Sequence, residues 1–213
     1  MAAPTSTAVN WLALGDSYTI GEGVGGAERW PELLADRLAR DGIAVTPPRV
    51  IAATGWTTDE LSTAMDIAEP LGHWDLVSLL IGVNNQYRGR SVADYRGEFH
   101  ALLKRAIALA GARPERVLVL SIPDWGVTAF ATAQGRDAEQ IAAEIDQYNG
   151  AAATLCARHG VAFVDITPVS RERGGEVAML VDDGLHPSQA MYALWADAAL
   201  PVVARMLDGT ASR

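Results

Sequence analysis

The sequence predicts a single α/β domain built on a parallel sheet, and three observations support this fold class. Short apolar runs alternate with amphipathic stretches along the whole chain, which is the pattern of repeated βαβ units. The apolar runs are nearly continuous, as in parallel strands that helices cover on both faces. Of the 213 residues, 49% are hydrophobic and 20% are charged, which is enough apolar material for one full core.

Five apolar runs are predicted as strands. Val9–Leu14 ends at Gly15, and Arg49–Ala53 follows the break made by Pro47 and Pro48. The other predicted strands are Leu76–Ile81, Arg116–Ile122 and Val161–Ile166. Because a helical pattern separates consecutive strands, we expect right-handed crossover connections.

The amphipathic stretches between the strands are predicted as helices. Pro31–Arg40 has a proline in its first turn, as many helices do. The segment 57–60 (Thr-Thr-Asp-Glu) has the form of a capping box and opens a helix that continues through Met65. Three further helices are predicted from Ser91, over Ala138–His159, and from Pro187 to Leu207 with a kink at Pro201.

Charge and cysteine content exclude several classes of function. The chain has 17 basic and 26 acidic residues, a net charge of −9, which argues against nucleic acid as a partner. A single cysteine, Cys156, excludes an intrachain disulfide and a cysteine-rich zinc site, and its helical position predicts a buried side chain. Met1–Asn10 lacks the features of a signal peptide, and no apolar run approaches the ~18 residues of a membrane span. We expect a cytoplasmic protein without membrane insertion, and the oligomeric state stays open.

Polar and glycine-rich sequence follows every predicted strand. In a parallel sheet the carboxyl ends of the strands share one edge, where ligands bind. The loops expected at that edge are Gly15-Asp16-Ser17, Thr54-Gly55-Trp56, Gly82-Val83-Asn84-Asn85, Pro123-Asp124-Trp125-Gly126, and a stretch of about 20 residues that ends in Asp183-Gly184-Leu185-His186.

These loops contain the parts of a Ser-His-Asp acyl-transfer site. Ser17 is a poor nucleophile alone and needs a base, which His186 supplies near neutral pH. Asp183, three residues before His186, is favoured over Asp182 as the carboxylate that orients the imidazole. Asp16 is interpreted as a structural residue that bonds the backbone of its own turn.

An acyl-transfer site also needs oxyanion donors and a substrate pocket. The candidate oxyanion donors are the N–H groups of Ser17 and Gly55 and the side-chain amide of Asn84. The candidate substrate-binding residues are Trp56, Trp125, Asp124 and Tyr87, and Tyr18 is a weaker candidate. Arg88 and Arg90 are candidates to meet an anionic substrate, although solvation at the surface is the simpler interpretation.

At these residues the sequence resembles the GDSL/SGNH hydrolase family. The segment 15–17 is similar to the first motif block of the family, with Ser17 as nucleophile, and Gly55 is similar to its oxyanion glycine. The segments 82–84 and 183–186 are similar to its third and last blocks. The resemblance covers about residues 9–207 and implies a flavodoxin-like three-layer αβα fold with strand order 2-1-3-4-5. It also implies esterase or acylhydrolase chemistry without a metal or cofactor.

The sequence departs from the family motifs at two positions. Tyr18 replaces the leucine of GDSL, and Asn85 replaces the aspartate of the third block, GxND. Asparagine and aspartate are similar in size but differ in charge, so the local packing around Asn85 is expected to differ. These departures concern the substrate class more than the activity itself.

The resulting hypothesis is a serine esterase for short-acyl, soluble, small-molecule esters, because the chain has no insertion large enough to form a lid. Carbohydrate O-deacetylation, thioester hydrolysis and acyl transfer are alternatives at the same site. A nucleotide- or flavin-binding domain and a catalytically inactive ligand-binding domain are alternatives of another class. Gly21-x-Gly23-x-x-Gly26 formally fits a dinucleotide fingerprint but starts about six residues beyond the strand, and is interpreted as a flexible substrate loop. His73, His100 and His159 are scattered, without the spacing of a metal site.

Overall fold

The computed structural model describes residues 8–208, and its centre is a five-stranded parallel sheet. The strands are β1 (Trp11–Gly15), β2 (Arg49–Ala52), β3 (Leu76–Leu80), β4 (Val117–Leu120) and β5 (Ala162–Val164). Their order is β2-β1-β3-β4-β5, and all neighbours pair in parallel. The predicted α/β fold and strand order are therefore confirmed.

Helices cover both faces of the sheet. They are α1 (Ser17–Ile20), α2 (Trp30–Arg40), α3 (Thr58–Ile67), α4 (Val83–Tyr87), α5 (Val92–Leu109), α6 (Ala129–Ala133), α7 (Ala138–His159), α8 (Thr167–Arg173) and α9 (Gln189–Asp208). Single 3-10 turns lie at Gly26–Glu28, Pro114–Arg116, Trp125–Val127 and Val177–Met179. α2 packs on α9, while α3 and α7 pack on α5.

The register of β1, β2 and β3 aligns the ends of these strands, so that their loops start at the same height along the sheet. Gly15, the last residue of β1, pairs with Ala52 in β2 and with Leu80 in β3. Every residue of β1 and β3 is buried, as the continuous apolar runs predicted. The chain segments that follow these three strands consequently begin side by side at the same edge of the sheet.

Local capping sets the starts of two predicted helices. Glu60 Oε2 accepts a hydrogen bond from Thr57 N (2.8 Å), which is one half of the predicted capping box at the start of α3. Ser91 Oγ accepts from Asp94 N (3.0 Å) and caps α5. Each bond satisfies a backbone donor that the helix itself leaves without an acceptor.

The segment after β5 differs from the irregular loop that we expected. It contains α8 and a 3-10 turn. Ser121 Oγ, at the end of β4, accepts from the N–H groups of Ile166 (2.8 Å) and Thr167 (3.1 Å) and so fixes the start of α8. Ser121 lies 45 residues before Ile166 in the chain, so no local sequence pattern could indicate this contact.

The structure bears on two further expectations, the burial of Cys156 and the absence of an apolar segment of membrane-span length. Cys156 is buried as predicted, and burial raises the pKa of its thiol to about 12. The expectation that no segment reaches membrane-span length needs correction, because α9 has 20 residues and a mean hydropathy of 1.3. Seven of its side chains are nevertheless buried, and the helix packs on α2, as a core helix does. Most of Met1–Asn10, residues 1–7, lies outside the described part of the chain.

Candidate active site

Ser17 is the first residue of α1 and follows β1 after a single residue, Asp16. Asp16 Oδ1 accepts a hydrogen bond from Tyr18 N (3.0 Å) and caps this helix, which agrees with its predicted structural role. Asp16 is fully buried, and burial raises the pKa of its carboxyl to about 7, although the bond from Tyr18 N acts in the opposite direction. The turn holds Ser17 in a fixed position against the edge of the sheet.

Asp183 and His186 form a closed turn just before α9. Asp183 Oδ2 lies 2.6 Å from His186 Nδ1, and Asp183 Oδ1 accepts from the N–H groups of Leu185 (2.8 Å) and His186 (2.9 Å). Burial alone would raise the pKa of Asp183, but the bonds from His186 and Leu185 outweigh it and hold this pKa below its usual range. Asp183, not Asp182, is thus the carboxylate on His186.

The imidazole of His186 lies near Tyr18, the residue next to the candidate nucleophile. The rings of Tyr18 and His186 lie 6.0 Å apart, and Tyr18 also packs edge-on against Trp195 in α9 (5.8 Å). Because Nδ1 is bound to Asp183, Nε2 is the nitrogen that remains for exchange of a proton with a substrate or with Ser17. Ser17 and His186 line the same pocket.

Two loops bring candidate oxyanion donors to this pocket. Gly55, after β2, has φ 85°, a conformation that side chains other than glycine rarely adopt. Asn84, in α4, donates one amide hydrogen to the carbonyl of Trp56 (2.9 Å) and retains a second. Arg88 donates to the carbonyl of Gly55 (2.6 Å) and to Glu60 (3.2 Å), so the Gly55 loop is held from its outer side. As the first residue of a helix, Ser17 has an N–H that no intrahelical carbonyl accepts.

Asn85, the departure from the family motif, has a structural role. It is fully buried, and its Oδ1 accepts from Thr58 N (3.1 Å) at the start of α3. Its amide donates to Thr58 Oγ1 (2.6 Å) and to Glu98 Oε2 (3.3 Å), while the Thr58 hydroxyl also bonds Glu98. Glu98 already supplies a carboxylate here, which explains why an amide and not a second carboxylate occupies position 85.

The pocket in front of Ser17 has a volume of about 210 Å³ and largely apolar walls. Six predicted site residues line it, namely Ser17, Gly55, Asn84, Tyr87, Trp125 and His186. Tyr18, a weaker candidate from the sequence, also lines it, whereas sequence reasoning did not assign four other lining residues, namely Thr54, Val83, Phe130 and Leu185. Phe130 belongs to α6, and its N–H donates to the carbonyl of Gly184 (3.0 Å), which connects α6 to the loop of His186.

The comparison with known families decides the class of this protein. The GDSL-like Lipase/Acylhydrolase family matches residues 13–194, which is most of the chain. The chain belongs to this family. It is accordingly an ester hydrolase, as the sequence motifs indicated. A search of curated proteins found no match.

Solved structures show the same fold as this GDSL-like hydrolase. TesA is 19% identical with a TM-score of 0.73, and the match covers 92% of this chain and 99% of TesA. A lipase/acylhydrolase from Enterococcus faecalis is 21% identical with a TM-score of 0.68, covering 92% and 96%. The acetylxylan esterase Axe2 from Geobacillus stearothermophilus is 20% identical with a TM-score of 0.68, covering 92% and 94%. At these identities the likeness concerns the fold.

Two of the predicted substrate-binding residues do not line the pocket of this GDSL-like hydrolase. Asp124 is buried, and its carboxylate is occupied by Gly126 N (2.9 Å) and by an ion pair with Arg171 (2.8 Å). Trp56 contributes its carbonyl to Asn84, but its side chain lies outside the pocket wall. Sequence reasoning placed both at the pocket because strand-end loops bring backbone to the site without fixing where each side chain points.

Arg88, Arg90 and the glycine-rich segment 21–26 are the remaining candidates for contact with a substrate. Arg88 is occupied by Gly55 and Glu60, and Arg90 pairs with Asp59 (2.6 Å), so neither cation is free for a substrate. The segment 21–26 does not line the pocket, contrary to its interpretation as a substrate loop. Position 23 instead lies against Val181, where a Cβ would come within 2.6 Å of a methyl group.

The three histidines outside the candidate site are not all scattered. His100 in α5 and His159 at the end of α7 meet with their Nε2 atoms 2.9 Å apart. They line a surface cavity of about 520 Å³ together with Arg96 and Arg158. Within residues 8–208 no group of three or more metal-ligating side chains was found. Helix packing brings these two histidines together from 59 residues apart, which the sequence does not indicate.

Proposed function

We propose that this GDSL-like hydrolase is a serine esterase with Ser17, His186 and Asp183 as its catalytic triad. Ser17 Oγ attacks the ester carbonyl carbon while His186 takes the hydroxyl proton. The tetrahedral intermediate expels the alcohol, to which His186 returns that proton. A water molecule, activated by the same imidazole, then hydrolyses the acyl-enzyme to release the acid and regenerate Ser17. Asp183 holds the imidazole in the required tautomer throughout.

The observation that best supports this proposal is the shared pocket of Ser17 and His186. The base in that pocket carries a carboxylate at 2.6 Å on its far nitrogen, which is the arrangement that stabilises an imidazolium. Asn84 and the N–H groups of Ser17 and Gly55 are proposed as oxyanion donors on the same wall. They come from three adjacent loops, and donors of this kind act on charge that develops in the transition state.

The dimensions of the pocket favour short acyl groups on soluble esters. Its volume of about 210 Å³ is below the roughly 300–1,000 Å³ of sites that enclose drug-sized ligands. Apolar walls from Val83, Phe130 and Leu185 suit an alkyl chain of a few carbons. A long acyl chain would have to extend into solvent and would gain little from these walls.

Hydrolysis of p-nitrophenyl esters from acetate to octanoate, with the wild type beside Ser17→Ala, tests this proposal. We expect the highest kcat/KM at two to four acyl carbons and a loss of at least about 10³-fold in Ser17→Ala. Ser62→Ala, which removes a hydroxyl on α3 that bonds Arg105, is the matched control and should retain activity. Turnover that survives in Ser17→Ala would contradict the assigned nucleophile, and a maximum at octanoate would contradict the acyl preference.

Deacetylation of carbohydrates is a second candidate for the same site. The ring of Tyr87 is 41% exposed at the pocket, and exposed aromatic faces pack well against sugar rings. The fold is also similar to that of Axe2, an acetylxylan esterase. Acetylated xylo-oligosaccharides that react with a higher kcat/KM than p-nitrophenyl acetate would favour this function, whereas a lower value would favour the simple ester.

A further inference from the structure

Arg136 lies at the rim of the pocket and touches none of the triad residues. It is exposed, in the segment 134–137 between α6 and α7. Its guanidinium carbon is 5.2 Å from the ring centre of Trp125 and 5.4 Å from that of Tyr87. Both rings line the pocket, so the cation lies beside the pocket, near any substrate group that packs against these rings. The Tyr87 hydroxyl also bonds Gln134 (3.5 Å), which holds this segment against α4.

Arg136 differs from the other arginines around the site in its charge partners. The other arginines around the site have carboxylate partners, namely Glu60 for Arg88, Asp59 for Arg90 and Asp124 for Arg171. In the described part of the chain no carboxylate pairs with Arg136. The adjacent Asp137 uses its Oδ1 to accept the N–H groups of Glu139 (2.9 Å) and Gln140 (3.1 Å) at the start of α7. An unpaired cation in a chain of net charge −9 is available to a ligand.

The geometry of the guanidinium suits a carboxylate. A guanidinium that stacks on aromatic faces keeps the N–H donors along its edge free, and these donors match the two oxygens of a carboxylate. The part of the pocket wall formed by Thr54 is less favourable for an anion, because the Thr54 hydroxyl bonds the carboxylate of Glu22. A negatively charged group on a substrate is therefore directed to the side of Tyr87 and Trp125.

We propose that Arg136 is a specificity-determining residue that selects esters carrying a carboxylate on the part of the substrate that lies against Tyr87 and Trp125. This inference rests on the proposed esterase function. Arg136 contacts the bound substrate and takes no part in proton transfer. Neutral esters of the same size are hydrolysed by the same triad, with a lower kcat/KM.

Two pairs of nearly isosteric esters test this inference. Monomethyl succinate and methyl levulinate differ by a carboxylate against an acetyl group on the acyl side. Acetoxyacetate and acetoxyacetone differ in the same way on the alcohol side. Comparing the charged-to-neutral ratio of kcat/KM between the wild type and a variant removes the contributions of size and of intrinsic ester reactivity, since both enzymes meet the same esters. The pair with the larger ratio also identifies which side of the ester lies against Tyr87 and Trp125.

We expect the wild type to prefer the charged ester of one pair by about tenfold, since hydrogen bonds to charged groups are among the stronger ones. Arg136→Gln should bring that ratio to about 1, and Arg136→Lys should retain part of it. Arg205→Gln is the matched control, because it removes the same charge from an exposed position about 24 Å further along α9 than Gln189. It should retain the wild-type ratio.

Two outcomes would overturn the inference, and they are distinguishable. Equal ratios in the wild type and Arg136→Gln, with active enzyme, would show that Arg136 does not select substrates and would leave the esterase function intact. A wild type that hydrolyses none of the four esters and no p-nitrophenyl acetate would contradict the esterase function, and the inference with it.

Discussion

Two histidines in different regions of the molecule have different partners, and the partner determines the chemistry of each imidazole. At the carboxyl edge of the sheet, His186 Nδ1 lies 2.6 Å from the carboxylate of Asp183. On the α5–α7 surface, His100 Nε2 lies 2.9 Å from the Nε2 of His159. The first partner stabilises a protonated ring, whereas the second competes with it for protons.

The surroundings of the two pairs amplify this difference. Desolvation and then the charges of Lys104, His159, Arg158 and Arg96 lower the pKa of His100. The bonds that Asp183 accepts from His186 and Leu185 hold its carboxyl ionised next to His186. Protonation of His100 is therefore disfavoured on the α5–α7 surface. At the sheet edge, the ionised Asp183 is the partner that the proposed general base, His186, requires.

Substituting each histidine by glutamine in turn tests this difference between the two regions, and it has the largest expected effect. We expect His186→Gln to lower kcat/KM for p-nitrophenyl acetate by about 10³–10⁴-fold, because the proton of Ser17 loses its acceptor. His100→Gln is the matched control and should retain kcat/KM within about twofold. Similar losses in both variants, with intact circular dichroism spectra, would contradict the assignment of the base.

The two pairs also differ in how far the sequence could predict them. Asp183 and His186 are three residues apart, so a motif shows them together, and strand-end reasoning placed Ser17, Gly55 and Asn84 beside them. His100 and His159 come from two helices, and only the packing of those helices makes them neighbours.

The same reason explains what else the sequence missed. Phe130 reaches the pocket because α6 is anchored to the carbonyl of Gly184, and α6 has only five residues, too few to show a periodic pattern. Asp124 does not line this pocket, and Arg171, 47 residues later in the chain, binds its carboxylate. The strands and long helices were predictable because their burial repeats along many consecutive residues. The partner of an individual side chain depends on tertiary contacts, which no local sequence pattern indicates.

Asp16 contrasts with Asp183, because it is a carboxylate next to Ser17 that has no cationic partner in the described part of the chain. Burial raises its pKa to about 7, above the value of about 4 in an unfolded chain. The folded state thus holds a proton between these two pH values that the unfolded state releases, and stability falls as the pH rises through this window. Asp16→Asn keeps an acceptor for Tyr18 N and removes the charge.

We expect Asp16→Asn to raise the free energy of unfolding at pH 8 by roughly 2–4 kcal/mol relative to wild type, and to leave it nearly equal at pH 4. Urea denaturation at the two pH values measures this difference. A stability difference that is the same at both pH values would show that the carboxyl of Asp16 does not titrate as described.

Asn85→Asp has the smallest expected effect. It would replace the hydrogen bond from the Asn85 amide to the Glu98 carboxylate by two carboxylates of like charge. The new carboxylate would face Glu98 in a buried position and lose the amide donor to Thr58 Oγ1. We expect a loss of about 1–3 kcal/mol in the free energy of unfolding at neutral pH. Glu98→Gln in the same chain should recover most of it, because one charge of the pair is then removed. A double variant no more stable than Asn85→Asp would contradict the role given to Glu98.

Covalent labelling of the intact enzyme with a fluorophosphonate tests the central claim most directly. Ser17 Oγ would displace fluoride from phosphorus while His186 accepts the hydroxyl proton, leaving a stable phosphonyl ester that mass spectrometry of peptides can locate. We expect one adduct per chain, on Ser17, with labelling strongly slowed in His186→Gln and retained in His100→Gln. An adduct on another residue, or an enzyme that hydrolyses esters yet takes up no label on Ser17, would contradict it.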